Sequence, residues 1–247
     1  MRSLGLALRY LTIAPIPAGA HVEPTTLGRA APWFPLIGLA IGLVVAGTAQ
    51  VLDALFPPLL DALLTVTVWK LLTGGLHLDG LSDCLDGLTG RDAGDRLRIM
   101  HDSRIGAFGV IGLILFLLIE VAAVSELLGS LRWRTLIAAP ALARALPPLA
   151  GWIFPAARPL GQGAMFRAEL RPARMLGALA LAAVIAVTLL DAIGLVAFGL
   201  AVAATMALGW FATRRLGGVT GDVLGAMIEI GELICLLTLV AWAHVPR

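Results

Sequence analysis

The sequence predicts an all-α protein: a polytopic membrane bundle of about seven transmembrane helices, preceded by an N-terminal helix lying at the membrane interface. Hydrophobic residues make up 59% of the 247 residues, and charged residues only 14%. In soluble domains about a quarter of the residues are charged. The mean hydropathy is +0.94, which is typical of a chain whose surface faces lipid. We expect residues 1–247 to form a single membrane-embedded catalytic domain.

The N-terminal segment, MRSLGLALRYLTIAPIPAGA, resembles a signal peptide because an early arginine precedes an apolar stretch. However, Arg9 and Tyr10 interrupt that stretch, and Pro15 and Pro17 follow it. We therefore predict a short amphipathic helix at the membrane interface that ends at the Ala-Pro-Ile-Pro turn of residues 14–17.

Seven apolar stretches are candidates to cross a hydrocarbon core of roughly 30 Å. They cover residues 33–52, 59–78, 106–125, 136–153, 175–190, 193–213 and 223–243. The fifth is short, and Asp191 with Gly194 could mark the tip of a helical hairpin that does not reach the far side. Six crossings is therefore the alternative count.

The distribution of arginines predicts the orientation. With seven spans and a cytoplasmic N-terminus, 13 arginines lie on the cytoplasmic side and three outside, and the pair Arg132 and Arg134 is the exception to the pattern. The net charge of +2 and the lack of a basic stripe with interleaved aromatics argue against nucleic-acid partners. We expect the protein to be surrounded by membrane lipid, and the sequence leaves its oligomeric state open.

The segment GGLHLDGLSDCLDGLTGR at residues 74–91 places three carboxylates on one helix face. Asp79, Asp83 and Asp86 fall within an arc of about 60° at 100° per residue. Each carboxylate at membrane depth costs about 2.5–3.5 kcal/mol, so the group needs a counter-charge. Oxygen ligands suit Mg²⁺, which characteristically bridges a few carboxylates to substrate phosphates. We predict a magnesium and phosphate site here.

The segment IMHDSRIG at residues 99–106 adds the remaining groups that a phosphotransferase needs. Such an enzyme requires cations for developing charge and a base for a hydroxyl proton. We expect Arg104 to stabilise the leaving group and Asp102, or less readily His101, to accept the proton.

A second acidic stripe lies in GGVTGDVLGAMIEIGEL at residues 217–233, where Asp222, Glu229 and Glu232 span an arc of about 80°. We predict that Asp222 completes the metal shell. The two glutamates are either functional or polar contacts between helices, for example Glu232 paired with Arg144. Arg144 is too deep for easy contact with water, so it should bind a carboxylate or a substrate phosphate.

Two other functions are compatible with parts of this pattern. The stretch DCLDGLTGR matches half of the CDP-alcohol phosphotransferase signature, but the second half, with its two further aspartates, is absent. A lipid head-group phosphotransferase is thus one alternative. A transporter with a carboxylate cation site is another, although its acids should lie near the membrane midplane.

Three segments together resemble the cobalamin synthase family, whose members are adenosylcobinamide-GDP ribazoletransferases. They are GGLHLDGLSDCLDGL, IMHDSRIGAFG and LGGVTGDVLGAMIEIGEL, and LRYLTIAPIP with WFPLIGLAIG fits the family's opening. The resemblance implies a Mg²⁺-dependent enzyme of the bacterial inner membrane, with its active site facing the cytoplasm. Such an enzyme joins adenosylcobinamide-GDP to α-ribazole or its 5′-phosphate and releases GMP.

The family motifs fall on a defined set of positions in this chain: His77, Asp79, Asp83, Asp86, Asp102, Ser103, Arg104 and Asp222. Of these, the aspartates 79, 83, 86 and 222 are the expected metal ligands. We expect Ser103, together with Arg144, to contact substrate, and His77 either to contact substrate as well or to be a structural histidine whose hydrogen bonds are satisfied.

Overall fold

The structure is a computed structural model that describes residues 2–14 and 24–245. These residues form helices and contain no β-strand, only an isolated bridge between Ala156 and Val219. The predicted all-α membrane bundle is confirmed. A 3₁₀ helix, Pro24–Trp33, follows α1, and the α-helices are α1 Arg2–Leu11, α2 Phe34–Asp53, α3 Pro58–Thr73, α4 Leu76–Gly87, α5 Ala93–Ile99, α6 Ala107–Glu126, α7 Gly129–Ala143, α8 Leu146–Ile153, α9 Gln162–Ala168, α10 Pro172–Leu216 and α11 Gly221–His244.

The N-terminal helix α1 is amphipathic, as predicted. Ala7 and Leu11 are fully buried, while Arg9 is exposed. Tyr10 stacks on Phe34 at the start of α2, with 5.9 Å between the ring centroids. The location of α1 at the membrane interface stays a prediction. Residues 15–17 of the predicted turn lie outside the described residues.

Helices α2 and α7 pack closely because glycines line their contact. A Cβ atom on Gly38 would lie 2.3 Å from the carbonyl oxygen of Pro140, and one on Gly42 would lie 2.4 Å from that of Ile137. Small residues let helix backbones approach in this way, which compensates for the lack of a hydrophobic driving force between helices in lipid.

The second predicted span is broken at Gly74 and Gly75. Both residues are left-handed, with φ values of 64° and 66°, and α3 and α4 meet at a bend of 92°. The continuous helix predicted over residues 59–78 therefore ends at Thr73. Because of the bend, α4 leaves the direction of α3 and carries its acidic residues across one end of the bundle.

The 45-residue segment α10 contains a second break at Asp191, where φ is 56° and ψ is −147°. A Cβ atom on Gly194 would lie 2.3 Å from the carbonyl oxygen of Ala186. Eight residues of straight helix span about 12 Å, so the chain reverses here into two antiparallel arms. Five of the described helices are long and apolar enough to cross a membrane, or six if the bent pair counts as one span. The count of seven crossings stays a prediction.

An ion pair at the end of the bundle opposite α4 accounts for one of the arginines that departed from the orientation pattern. Arg132 is buried and lies 2.5 Å from Asp61 and 3.4 Å from Asp53. The exposed Asp191 at the hairpin tip lies 3.9 Å from Arg134. The arginines here are matched by local carboxylates.

Candidate active site

A cleft of about 620 Å³ opens at the end of the bundle where the break between α3 and α4 lies. Its walls are the first half of α4, the loop of residues 100–105 and the first turn of α11. Four carboxylates line it, those of Asp79, Asp83, Asp102 and Asp222. The structure thus brings two acids of the predicted helix face together with the predicted acid of the last helix.

A glycine on α4 allows this convergence. A Cβ atom on Gly80 would lie 2.7 Å from the carbonyl oxygen of Asp222, so only a residue without a side chain fits where α4 crosses α11. The neighbouring Asp79 is exposed and Asp83 is half-buried. Asp83 is close enough to Asp79 and Asp222 for their charges to repel one another. The cleft therefore has a negative field that favours a cation.

Asp86, the third acid of the predicted face, has a different environment. It is buried, and its two carboxylate oxygens accept hydrogen bonds from the amides of Gly106 at 2.7 Å and Gly109 at 2.8 Å. Those amides begin α6, whose N-terminal N–H groups need partners and attract negative charge. The structure does not place Asp86 in the lining of the cleft. It anchors α6, and with it the loop of residues 100–105, to α4.

The predicted catalytic loop forms the outer wall of the cleft. Both oxygens of Asp102 accept hydrogen bonds from the Arg104 side chain, at 3.0 Å from Nε and 2.7 Å from Nη2, and the Arg104 amide adds a third. These bonds lower the pKa of Asp102 to about 2. His101 and Ser103 are exposed and also line the cleft. While it is paired with Arg104, Asp102 is a weak base.

His77 lies on the side of α4 that faces α11. It is 5% exposed, and a Cβ atom built on Gly225 would lie 3.4 Å from its Cα. Its Nδ1 atom is buried and has no hydrogen-bond partner among the described residues. The structure does not bring His77 to the lining of the cleft, and its expected contact with substrate stays a prediction.

Arg144 is fully buried in the bundle interior, away from the cleft. Its guanidinium donates to Glu232 Oε1 at 2.6 Å and to the carbonyl oxygen of Pro140 at 2.9 Å. The alternative that pairs Glu232 with Arg144 is thus the arrangement observed. Because protein groups already bind this guanidinium, the geometry gives no support to the predicted contact of Arg144 with substrate.

Glu120, which was not singled out from the sequence, completes this interior network. Lys70 Nζ lies 2.7 Å from Glu120, 2.7 Å from Glu229 and 3.3 Å from Glu232. Oxygens of the three carboxylates lie within 4.8 Å of one another, as in a metal site, but the ammonium group contacts all three. An acid in the middle of the apolar α6 was the available signal, since such residues rarely face lipid.

The helical bundle and its acidic cleft define the class of the protein: an integral membrane protein with a carboxylate-lined site. Residues 3–240 match the family model described as cobalamin-5-phosphate synthase, so the chain belongs to the cobalamin-5-phosphate synthase family. The predicted family is confirmed. Membership assigns the chain to late cobalamin biosynthesis and leaves the CDP-alcohol phosphotransferase and the transporter without support.

Curated relatives match over nearly their full length. The chain is 38% identical to the adenosylcobinamide-GDP ribazoletransferase of Geotalea daltonii, over 98% of both chains. It is 41% identical to the enzyme of the same name in Pseudomonas paraeruginosa, over 97% of this chain and 98% of the relative. For the Klebsiella pneumoniae subsp. pneumoniae enzyme the identity is 38%, over 97% and 99%. No solved structure matches the chain.

Proposed function

We propose that this protein joins adenosylcobinamide-GDP to α-ribazole or its 5′-phosphate, releases GMP and requires Mg²⁺. The convergence of Asp79, Asp83 and Asp222 in one cleft is the observation that carries the proposal. The substrates in this proposal are taken from the names of the relatives. The abundance of arginines at this end of the bundle supports a cleft that faces the cytoplasm from the bacterial inner membrane.

The donor set of the cleft fits Mg²⁺ shared between protein and substrate. Three carboxylates are hard oxygen ligands. Among the described residues, no three acids of the cleft hold ligand atoms within 4.8 Å of one another. Such spacing suits an ion that keeps several waters and takes substrate phosphate oxygens as ligands. When bound, Mg²⁺ would neutralise the diphosphate and the charge that develops on the departing GMP.

Arg104 and Asp102 are the residues best placed to assist the transfer. The Arg104 side chain is 87% exposed, so it can turn from Asp102 toward a phosphate in the cleft. That movement removes the hydrogen bonds that lower the pKa of Asp102 and makes its carboxylate a better proton acceptor. One residue then stabilises the leaving phosphate while the other receives the proton.

The proposed step is an in-line substitution at the phosphorus attached to the corrinoid side chain. The 3′-oxygen of the ribazole forms a bond to that phosphorus, and the bond from the phosphorus to the bridging oxygen of GMP breaks. The hydroxyl proton passes to Asp102, and GMP leaves as a phosphate monoester. Positioning and electrostatic stabilisation are the main contributions that a protein makes to such a transfer.

The test is Asp83→Asn, assayed by GMP release from adenosylcobinamide-GDP, α-ribazole and Mg²⁺. We expect the variant to lose Mg²⁺-dependent turnover and to remain folded, because Asp83 has no ion-pair partner among the described residues. Glu126→Gln, an exposed carboxylate at the other end of α6, is the matched control and should retain full activity. Retained turnover in Asp83→Asn refutes the assignment of the site. Wild-type activity with a CDP-alcohol but not with adenosylcobinamide-GDP refutes the proposed function.

A further inference from the structure

A second cavity adjoins the cleft and shares two residues with it. This cavity, of about 300 Å³, lies between the loop that follows α8, the start of α9 and the turn before α11. His101 and Asp222 line both spaces, so a molecule in the second cavity reaches the same carboxylate as one in the cleft. A reaction between two bound substrates needs two such adjoining spaces.

Backbone pairing and glycines form the walls of this cavity. The amide of Ala157 donates to Val219, and that of Val219 donates to Pro155, at 3.0 Å and 2.8 Å. A Cβ atom on Gly218 would lie 2.3 Å from the carbonyl oxygen of Pro155, and one on Gly163 would lie 3.0 Å from that of Val219. The approach at Gly218 leaves no room for a side chain, and the one at Gly163, in the first turn of α9, is also tight, so these contacts fix the shape of the space between the segments.

The cavity has charges of opposite sign at its two ends. Asp222 lies at the inner end, next to the cleft. Arg158 lies at the outer end, where a surface depression that also holds Arg167 begins. One nitrogen of the half-buried Arg158 donates to the carbonyl oxygen of Leu97, and a guanidinium has four further N–H donors. Between the two ends the wall includes the apolar side chain of Met165.

We propose that this cavity binds the acceptor in its phosphorylated form, α-ribazole 5′-phosphate, with the 5′-phosphate on Arg158. The inference rests on the proposed function. In a ribonucleoside monophosphate, the 5′-phosphate and the 3′-hydroxyl lie on different sides of the ribose. Placing the phosphate on Arg158 directs the hydroxyl toward Asp222 and the reacting phosphorus, and the apolar benzimidazole base packs beside Met165.

The in-line geometry of phosphoryl transfer supports separate spaces for acceptor and leaving group. The attacking and leaving oxygens lie on opposite sides of the phosphorus. With the nucleotide in the cleft, an acceptor in the second cavity approaches the phosphorus past His101 and Asp222, which line both spaces.

The test compares two acceptors in one variant. Arg158→Ala should raise KM for α-ribazole 5′-phosphate by about 10- to 100-fold, the range for losing a charge-assisted hydrogen bond. KM for α-ribazole, which lacks the phosphate, should change by less than about twofold, since removing a rim side chain leaves the other contacts in place. Arg171→Ala is the matched control, since Arg171 is exposed on the same segment and does not line the cavity. It should affect neither acceptor.

Two outcomes overturn the proposal. An equal rise in KM for both acceptors shows that Arg158 does not recognise the 5′-phosphate. A rise in KM for adenosylcobinamide-GDP alone assigns the cavity to the leaving nucleotide. A wild-type protein that releases no GMP with either acceptor refutes the proposed function itself, which distinguishes that failure from the other two.

A second variant avoids the bond between Arg158 and Leu97, whose loss could affect folding. Ala164 lines the same cavity at its outer end and is half-buried. Ala164→Glu should raise KM for α-ribazole 5′-phosphate at least tenfold more than KM for α-ribazole, because the new carboxylate repels the phosphate. Equal effects on the two acceptors would again overturn the proposal.

Discussion

Replacing Lys70 with methionine tests whether a single ammonium group holds the bundle interior together. Three glutamates, Glu120, Glu229 and Glu232, surround Lys70, and Arg144 binds the last of them. The three carboxylates and two cations leave one negative charge in excess. Methionine has nearly the volume of lysine, so the substitution removes the charge and leaves the packing almost unchanged.

The size of the effect follows from the distances. At an effective dielectric constant of about 20, two unit charges 2.7 Å apart attract by roughly 6 kcal/mol. The full loss is not expected, because carboxylates left without Lys70 will take up protons rather than stay charged. Removing one partner of a buried ion pair costs about 3–5 kcal/mol. We expect Lys70→Met to lower the free energy of unfolding by that amount.

Replacing one of the carboxylates should destabilise the protein less than replacing Lys70. Glu120→Gln removes the excess negative charge, so it should cost less than half as much as Lys70→Met. In the double variant, Glu120→Gln should restore part of the stability that Lys70→Met removes, since residues in direct contact have coupled effects.

The assay is chemical unfolding of the purified protein in detergent micelles, followed by tryptophan fluorescence. Trp69 is buried, and its ring centroid lies 4.8 Å from Lys70 Nζ, so one of the six tryptophans that give the signal lies beside the network. The matched control is Arg171→Met, which removes an exposed cation next to the start of α10 and should change the stability by less than about 0.5 kcal/mol. Equal unfolding midpoints for Lys70→Met and Arg171→Met would refute the reasoning, as would a Glu120→Gln variant as unstable as Lys70→Met.

Three further predictions test other parts of the structure. Asp86→Asn should lower the free energy of unfolding by about 1–3 kcal/mol, since it leaves a buried amide of α6 without an acceptor; an unchanged unfolding midpoint would contradict the anchor. Gly38→Val should lower the free energy of unfolding by about 1–3 kcal/mol, because the new side chain overpacks against α7. Gly47→Val places its side chain in open space and should lower the free energy of unfolding by less than about 1 kcal/mol. Arg104→Ala should raise the pKa of Asp102 from about 2 toward its ordinary value. If the Asp102 carboxylate is the base, the acid limb of the pH profile of kcat/KM should then move to higher pH in the variant. Identical pH profiles for the variant and the wild type would exclude Asp102 as the base.

The helical period predicted which acids share a face of α4, but not which environment each would meet. Asp79 and Asp83 lie near the open end of the helix and reach the cleft. Asp86 lies farther along, where the N-terminus of α6 takes both of its oxygens. The two amides belong to Gly106 and Gly109, at least 20 residues away in the chain. Periodicity describes one helix, and this contact depends on how two helices pack.

The interior network was predictable only in part for the same reason. The depth of Arg144 in an apolar span required an anion, and Glu232 was a suitable partner on the last helix. The ring around Lys70 draws its carboxylates from α6 and α11, and nothing in the sequence specifies which sides of these helices meet. In a chain with 59% hydrophobic residues, a charged residue inside the bundle needs a partner of opposite charge, and tertiary packing determines which residue that partner is.

The acids at the two ends of the bundle and in its interior differ in whether the protein itself supplies their counter-charge. At the far end, Asp61 is neutralised by a buried arginine, and in the middle Lys70 contacts three glutamates. In the cleft, Asp79, Asp83 and Asp222 have no cation within 4.0 Å among the described residues. Charged groups away from bulk water are stable only when paired. The far end and the interior satisfy this requirement within the protein. The acids of the cleft are exposed or half-buried instead, so they remain free to bind the cation that we propose as their ligand.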